Sequence, residues 1–373
     1  MNKNKPALFV VLALVLIGAT LILFSKQDNN GTTADGTIKI VLSLSLTGDF
    51  SYFGNEVKNA FNLLEKKAKA NNIQFIYEDN QSEINRGVTI FNKYASDKSV
   101  ALFVTNNTPF SAPIRELADR DKKNHMALIT GAVGFPNNYK YVFRDAITQD
   151  QEGAMLANYT LNNTNYKKLA LCAMNDDYGY DGLREFKNIT SANGLSIVAE
   201  EYYTTGNNDF KNIIVKLLAG EPDMIFFVGR EQSYVSFINQ LRERDATIPL
   251  YCTDSFESQT VYDGIGAHVN GVVFVSYHND LESEKSKDFI TRFEQSFGTK
   301  PGIYAIDAYV CAEYIIDCIA KGARDTESLN KALSELEHDS FLKGHIYAKN
   351  RSIVSNLALY KINSEGKKEL IHK

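Results

Sequence analysis

The sequence lacks the short motifs that identify several classes of enzyme. It has no glycine-rich phosphate loop ending in Lys and Ser or Thr, no His-Glu-x-x-His motif and no serine in a Gly-x-Ser-x-Gly elbow. Gly264-Ile265-Gly266 is without the third glycine of the dinucleotide-binding fingerprint. The 6 histidines are scattered, with no pair at the spacing of metal ligands. We therefore predict a binding protein rather than an enzyme, with no catalytic residue, no metal and no cofactor.

Charge and cysteine content bear on two further possibilities. The net charge of −5 gives no reason to expect nucleic acid as a partner. Tryptophan is absent, although 20 Tyr and 22 Phe provide ample aromatic surface for a binding cleft. Cys311 and Cys318 lie about 10.5 Å apart along one predicted helix, which is too far for a disulfide. Cys172 and Cys252 lie in apolar strand-like runs, where cysteine is usually a small buried hydrophobe, and a bridge between them is left open.

One long apolar run stands near the N-terminus. Residues 7–24 carry no charge and follow a basic segment that contains Lys3 and Lys5. Residues 1–26 are therefore predicted to form a secretory signal or an uncleaved membrane anchor, followed by a polar linker at residues 27–36. The lysines place the amino end in the cytoplasm and the rest of the chain outside. We favour an anchor at the outer face of the cytoplasmic membrane over a cleaved signal that leaves a periplasmic or extracellular protein.

Strand-like and helical patterns alternate through the remainder of the chain. Apolar runs are found at residues 38–46, 73–77, 100–104, 126–129, 169–174, 195–199, 224–228, 249–252 and 271–275. Segments with helical spacing separate them, which predicts βαβ units and parallel sheets covered on both faces. A length of 373 residues fits two domains rather than one. We predict an α/β protein with two Rossmann-like lobes.

Breaks in this alternation indicate where the chain passes between the lobes. They fall near residues 143–148 and 276–280, and a third passage leads to a final strand at residues 357–362. The final strand is expected in the sheet of the second lobe. Lobe I is then predicted to contain residues 37–146 and 278–354. Lobe II is predicted to contain residues 147–277 and 355–373.

The same device occurs twice at the end of a buried strand-like run. Each run is followed by a polar turn, an aromatic residue, a glycine and an amphipathic helix, and the aromatic-glycine pairs are Phe53-Gly54 and Tyr178-Gly179. Ligands of open parallel sheets bind at the carboxyl ends of the strands. One aromatic from each lobe could therefore clamp a small molecule between them. The alternative is that each ring packs on its own helix.

Other candidate residues also follow predicted strands. Thr108 lies in a turn that opens a helix, where free N–H groups suit a carboxylate, although the turn could simply cap the helix. The turn at residues 130–134 has two glycines that would let backbone approach a ligand, or it is a simple turn. Asp254 would neutralise an ammonium group or cap a helix. Tyr304 and Asp307 open the late helix, where they would line the cleft or belong to the core.

Taken in order, these motifs resemble those of type I periplasmic binding proteins of the leucine/isoleucine/valine-binding branch. The resemblance covers residues 38–370 and rests on Leu46-Thr47-Gly48, Phe53-Gly54, Asp177-Tyr178-Gly179, Asn208-Asp209-Phe210, Pro222-Asp223 and residues 304–309. It implies two lobes joined by a three-stranded hinge that close on a small polar ligand. It also implies a carboxylate grip at Thr108 and at Ala132 to Gly134, in the same turn as the candidate Gly131. The aromatic residues of the family correspond to Phe53, Tyr178 and Tyr304.

The sequence departs from the family pattern at three positions. Gly134 stands where amino-acid binders often have a hydroxyl, so half of the carboxylate grip is missing. The acidic partner of the ammonium group aligns with Ser255, one residue after Asp254. Arg230 stands where an uncharged aromatic residue can line lobe II. A cation at that place would favour a ligand with an additional acidic group.

The resemblance implies the solute-binding component of an ABC importer. Its partners would be an amino acid or a similar small polar ligand, the ABC permease subunits, and the membrane through the N-terminal helix. The alternative is a membrane-tethered sensor that passes a binding signal to another protein. A hydrolase using Asp176 and Asp177 is disfavoured, because adjacent carboxylates on a turn tend to diverge.

Overall fold

The computed structural model describes residues 36–373. The predicted signal or anchor at residues 1–26, and all but the last residue of the predicted linker, lie outside this range. Within residues 36–373, no helix combines the length and apolarity that crossing a bilayer requires. The described chain forms two sheets, each flanked by helices.

Strands and helices alternate along most of the described chain. The strands are β1 Ile38–Leu44, β2 Ile73–Asp79, β3 Val100–Asn106, β4 Asn124–Leu128, β5 Val142–Asp145, β6 Lys168–Met174, β7 Ser196–Tyr203, β8 Met224–Val228, β9 Leu250–Cys252, β10 Val273–Tyr277, β11 Glu337–Ser340, β12 Gly344–Lys349, β13 Ser352–Val354, β14 Leu357–Ile362 and β15 Lys368–His372. The helices are α1 Ser51–Leu63, α2 Glu65–Ala70, α3 Ile84–Tyr94, α4 Thr108–Arg120, α5 Gln149–Asn163, α6 Asp177–Ala192, α7 Lys211–Ala219, α8 Glu231–Arg244, α9 Gln259–Ile265, α10 Glu284–Phe297, α11 Ile303–Ala320 and α12 Thr326–Ser334. Each strand-like run predicted from the sequence is a strand.

The first sheet has the strand order β11-β12-β13-β5-β4-β3-β1-β2. The pairings among β1 to β5 are all parallel, as predicted for βαβ units. Helix α11 is buried along most of its length and packs against α1 over this sheet. That packing explains why apolar residues occur on nearly every face of α11, because protein covers the helix on all sides.

The second sheet has the strand order β15-β14-β10-β9-β8-β6-β7. Strand β14 pairs antiparallel with β10, which places the final predicted strand in this sheet. The chain crosses between the sheets after β5, after β10 and between β13 and β14. From these crossings we propose that the units moving relative to each other are residues 37–146 with 278–354 and residues 147–277 with 355–373.

Two features of the sheets differ from the sequence prediction. Both sheets are mixed, because β11 to β13 and β14 with β15 pair antiparallel through short connections that a parallel pairing does not allow. Strand β5 occupies the place where the sequence predicted a lobe crossing. Its four residues are buried, but Arg144 and Asp145 interrupt the apolar pattern. The guanidinium donates to the Ala132 carbonyl and the Ser352 hydroxyl, and the carboxylate accepts from Tyr314, so both charged groups have hydrogen-bond partners inside the fold.

The four cysteines are free. Cys172 on β6 and Cys252 on β9 are both in register with Phe227 of β8, which lies between them. Two strand spacings separate their backbones by about 9–10 Å. This distance is beyond the reach of a disulfide, so the possible bridge between them is not formed.

The repeated strand-to-helix junction has the same close contact in both sheets. A Cβ atom on Gly54 would lie 2.0 Å from the Ser45 carbonyl oxygen, and one on Gly179 would lie 2.0 Å from the Met174 carbonyl oxygen. Each helix therefore begins against the backbone of the strand that precedes it. This approach leaves the preceding aromatic residue, Phe53 or Tyr178, at the carboxyl edge of its sheet.

Replacing Gly179 by alanine is expected to lower the free energy of unfolding by about 1–3 kcal/mol, because the new methyl group must displace backbone. Chemical denaturation measures the change. Gly87 in α3 is a matched control, since a Cβ there meets no atom within 4 Å and the glycine is helical. Gly87→Ala should raise stability by roughly 0.5–1 kcal/mol. Equal effects at both glycines would contradict the steric account.

Candidate ligand-binding cleft

A cleft lies between the two lobes, at the carboxyl ends of strands from both sheets. It contains about 690 Å³ free of protein atoms, including its opening to solvent. Of the residues predicted from the sequence, the structure brings together Phe53, Thr108, Gly131, Tyr178, Arg230, Asp254, Tyr304 and Asp307 along the cleft.

The wall on the lobe I side is aromatic. The rings of Phe53 and Tyr304 meet edge to face, with 5.1 Å between their centroids and an interplanar angle of 63°. Phe50 lies 6.0 Å from Phe53 and is supported from behind by Phe110, at 5.2 Å and 86°. Edge-to-face pairs of this kind stabilise by about 0.5–1.5 kcal/mol beyond the area they bury. The wall is therefore held in place by contacts among its own rings.

Helix α11 begins beside this wall because Glu56 caps it. One Glu56 carboxylate oxygen accepts hydrogen bonds from the N–H groups of Gly302 at 2.9 Å and Ala305 at 3.2 Å. A Cβ on Gly302 would lie 2.5 Å from the same oxygen, so the approach depends on glycine. Burial raises the pKa of Glu56 to about 7, against the opposing effect of the two backbone donors. The cap fixes Tyr304 near the helix end, across from Phe53.

The amino end of α4 supplies polar groups to lobe I. Asn107, with φ of 62°, turns the chain into the helix, and its carbonyl accepts from the N–H groups of Phe110 and Ser111. Pro109 has no N–H to offer. For Thr108 we find no hydrogen-bond partner within residues 36–373, for either its N–H or its hydroxyl. These two donors lie in the cleft at the positive end of a helix dipole.

Ala132 and Gly134 are not in the cleft, contrary to the position that the family resemblance implies. The chain turns at Ile129, a β-branched residue with φ of 52°, and only Ile129 and Gly131 of this turn line the cleft. The Ala132 carbonyl instead accepts from Arg144 at 2.6 Å. Gly134, with φ of 71°, belongs to a tight turn in which its own carbonyl accepts a hydrogen bond from the Asn137 N–H. Of the residues predicted for the carboxylate grip, Thr108 lines the cleft, together with the neighbouring candidate Gly131.

Gly131 lies against the first helix of lobe II. A Cβ at this position would lie 2.1 Å from the Gln149 side-chain nitrogen and 2.9 Å from the Ile147 carbonyl oxygen. The Gly131 carbonyl also accepts from the Gln149 N–H at 3.4 Å. This contact joins the lobes at the first crossing and places the Gln149 amide in the cleft.

Tyr178 is the central aromatic residue of lobe II. Its hydroxyl lies 3.0 Å from the Thr253 hydroxyl and 2.8 Å from that of Ser255. Arg230 lies over its ring at 4.4 Å and forms an ion pair with Asp176 at 3.2 Å. Burial raises the pKa of the Tyr178 hydroxyl, so that it remains a hydrogen-bond donor. Contacts on both the hydroxyl and one ring face fix the orientation of the side chain in the cleft.

Asp254 lies next to a second acid. Its backbone N–H donates to a Glu152 carboxylate oxygen at 2.6 Å, which ties the loop after β9 to α5. Burial raises the pKa of the Asp254 carboxyl to about 7. Burial, together with the charge of Asp254, raises the pKa of Glu152 well above its usual range. The helix-cap alternative for Asp254 does not apply, because Thr253 holds the N-cap position of the short turn Asp254–Phe256.

Asp307 is already paired inside the fold. It forms a buried ion pair with Lys343 and accepts a hydrogen bond from the Tyr277 hydroxyl at 3.1 Å. The same hydroxyl accepts from the Ile147 N–H at 2.9 Å. Tyr277 ends β10, so it links two of the three crossings to α11 of lobe I. Burial lowers the pKa of Lys343 to about 8, against the opposing charge of Asp145.

Sequence reasoning missed several residues that line the cleft. Ala146, Ile147, Gln149 and Tyr277 lie at or beside the breaks in strand-helix rhythm, which is the signal that could have found them. Ser255 aligns with the acidic position of the family and could have been chosen with Asp254. Asn107 and Pro109 flank Thr108 in the turn that the sequence marked, and they could have been chosen with it. No comparable signal marks Phe50 and Ile129.

A family model described as "Periplasmic binding protein" matches residues 37–367. The chain belongs to this family. Leu/Ile/Val-binding protein BraC3 of Rhizobium johnstonii is 24% identical over 315 residues, which cover 81% of this chain and 84% of the relative. A Leu/Ile/Val-binding protein homolog of Brucella melitensis is 24% identical over 319 residues, which cover 82% of this chain and 84% of the relative. The type I fold of the leucine/isoleucine/valine-binding branch, predicted from the sequence, is confirmed.

Solved structures have the same fold. The substrate-binding protein LivJ of Streptococcus pneumoniae, in complex with isoleucine, superimposes with a TM-score of 0.79 at 20% identity, covering 90% of this chain and 100% of that one. An ABC transporter solute-binding protein of Rhodopseudomonas palustris, in complex with 3,4-dihydroxybenzoic acid, superimposes with a TM-score of 0.78 at 22% identity. The match covers 91% of this chain and 96% of that one. This chain is therefore a periplasmic binding protein rather than an enzyme, and family membership implies an extracytoplasmic location.

Proposed function

We propose that the interlobe cleft captures a small molecule with both an ammonium and a carboxylate group, most simply an amino acid, for an ABC importer. The observation that carries the proposal is Asp254, an acid in the lobe II wall, set in the same cleft as the positive end of α4 in lobe I. A ligand carboxylate would meet Thr108 and the α4 dipole. Its ammonium group would meet Asp254, with Phe53, Tyr178 and Tyr304 around its carbon atoms.

The ligands of the structural neighbours pose a choice between two chemical classes. One neighbour is in complex with isoleucine, and others are in complex with 3,4-dihydroxybenzoic acid or 4-hydroxybenzoate. An aromatic acid of that kind has a carboxylate but no cationic group. It would offer no cationic group to Asp254, which lines the cleft next to the buried Glu152. The acidic wall therefore favours the amino-acid class.

Arg230 bears on the side chain of the ligand. Its guanidinium faces the cleft, but Asp176 already neutralises part of its charge. An acidic or polar ligand side chain would have to share this cation. We propose that such a ligand is preferred to a purely aliphatic amino acid, because an aliphatic chain leaves the guanidinium without a new partner.

A membrane-tethered sensor is the second candidate. The uncharged run at residues 7–24 favours it, since no cysteine for lipid attachment follows and the run could itself hold the protein at the membrane. Permease and ATPase genes beside this one would support import. A neighbouring gene for a signalling protein, with no permease gene, would support the sensor.

A thermal-shift screen of the full-length protein in mild detergent tests the proposed ligand class. An amino acid at a thousandfold excess over its Kd should stabilise the fold by about 4 kcal/mol. Matched analogues without the ammonium group, such as 4-methylpentanoate for leucine and glutarate for glutamate, should give little stabilisation. Stabilisation by aromatic acids, with none by amino acids, would contradict the proposed class.

A further inference from the structure

Lobe II contains two neighbouring carboxyl groups without a cation. Glu152 is 1% exposed, and one of its oxygens accepts from the Asp254 N–H. The other, Oε2, is buried and has no hydrogen-bond partner among the described residues. Within residues 36–373, no Lys, Arg or His lies within 4.0 Å of either carboxylate. Asp254 lines the cleft, and Glu152 touches it without lining the cleft itself.

The groups around this pair make its field more negative. Asp150 on α5 adds acidic charge, and Glu257 beside the short turn adds a carboxylate that is paired with Lys368 at 2.6 Å. The hydroxyls of Tyr178 and Tyr277, on α6 and β10, are neutral and supply no cation. The cation that lines the same cleft, Arg230, is paired with Asp176. Two carboxylates enclosed in this way cannot both ionise at ordinary cost, and such pairs keep a proton to a higher pH than either acid alone.

We propose that Glu152 and Asp254 share a proton in the unliganded protein at near-neutral pH, and that a cationic group of the ligand displaces it. The ligand cation contacts Asp254, whereas Glu152 acts through Asp254 as a positioning residue that sets its protonation. The displaced proton passes to solvent. The identity of the ligand in this inference rests on the proposed function. The shared proton, in contrast, is a property of the unliganded protein alone.

Proton displacement gives ligand binding a distinct pH dependence. Where the unliganded pair is protonated and the liganded pair is ionised, one proton is released per ligand. The affinity should then rise about tenfold per pH unit through that window, because binding and proton release are linked. If Asp254 were ionised both with and without ligand, the affinity would not change with pH in this way. The same holds if a purely anionic ligand bound at these two groups.

The first test requires no ligand. Carboxyl 13C resonances of the full-length protein are followed from pH 3 to pH 9 in wild type and in Glu152→Gln. We expect a coupled titration with a midpoint above about 6 in wild type, compared with ~4 for an ordinary carboxyl. In Glu152→Gln, Asp254 should titrate at lower pH, because the neighbouring acid is gone. Two carboxyls that titrate near 4 in wild type would overturn the proposal, and that result does not depend on the variant folding.

The second test counts protons on binding. Calorimetry with L-leucine and L-glutamate is carried out at pH 6 in phosphate and in bis-Tris, whose ionisation enthalpies differ. We expect release of about one proton per ligand in wild type and a smaller number in Glu152→Gln. Binding without proton release would overturn the proposal while leaving the proposed function intact. If neither amino acid binds, the function proposed for these ligands fails, and the carboxyl titration still decides whether the pair shares a proton.

Discussion

Replacement of Lys343 by methionine is expected to lower the free energy of unfolding by about 3–5 kcal/mol. The side chain is 3% exposed and is paired with Asp307, which is also 3% exposed. Removing Lys343 leaves the Asp307 carboxylate buried with only the Tyr277 hydroxyl as a partner among residues 36–373, which is the costly way to break a buried ion pair. Chemical denaturation followed by circular dichroism measures the loss.

The double variant Lys343→Met with Asp307→Leu separates the ion pair from simple packing. Replacing both partners by apolar residues of similar volume is often nearly neutral, so the double variant should regain part of the lost stability. The remainder reflects the buried Asp145, whose charge Lys343 also offsets. If the two substitutions lowered the free energy of unfolding additively, the result would contradict a specific ion pair. A decrease below about 1 kcal/mol in the single variant would contradict it as well. The Tyr277 hydroxyl connects the same carboxylate to the first crossing. The single variant is therefore also expected to loosen the attachment between the lobes.

Replacement of Tyr178 by alanine is expected to weaken ligand binding by about 2 kcal/mol or more, roughly 30-fold in Kd. The ring is held between Arg230 and the hydroxyls of Thr253 and Ser255, and it faces the cleft. Removing it takes away apolar cover and leaves the arginine without its aromatic partner. Calorimetry with the amino acid found by thermal shift measures the loss.

Tyr178→Phe is the matched control for this variant. It keeps the ring under Arg230 and removes only the hydroxyl, so the loss of affinity should be smaller. The unliganded melting temperature of Tyr178→Ala distinguishes a ligand contact from a core position. Unchanged affinity together with a melting temperature several degrees lower, as after a large core truncation, would show that Tyr178 only supports the fold.

The strand-helix alternation allowed most of the fold to be predicted. Buried parallel strands are continuous apolar runs, and the glycine after each cleft aromatic is required by a 2.0 Å approach to backbone. Strand β5 was missed because Arg144 and Asp145 are buried through specific partners that lie far away in sequence. Periodicity alone does not reveal such partners. The antiparallel edges were missed because the prediction assumed long crossovers throughout.

Tyr304 and Asp307 were predicted from the start of the late helix, and the other candidate residues from their position shortly after a strand. Phe53, Thr108 and Tyr178 have this placement and line the cleft. Ala132 and Gly134 do not line the cleft, because the positive φ of Ile129 turns the chain after β4, and no residue pattern announces that turn. Glu152 lies inside α5, where its sequence position indicates an ordinary helical acid. Its importance depends on Asp254, about a hundred residues later, and emerges only from the folded chain.

The most direct test of the central claim is a crystal structure of the protein with the amino acid that stabilises it most. The account predicts that the ligand lies between the lobes, with its carboxylate at Thr108 and its ammonium group at Asp254. Phe53 and Tyr304 should touch it from one lobe and Tyr178 from the other. A ligand bound outside the cleft, or one in contact with a single lobe, would contradict the account.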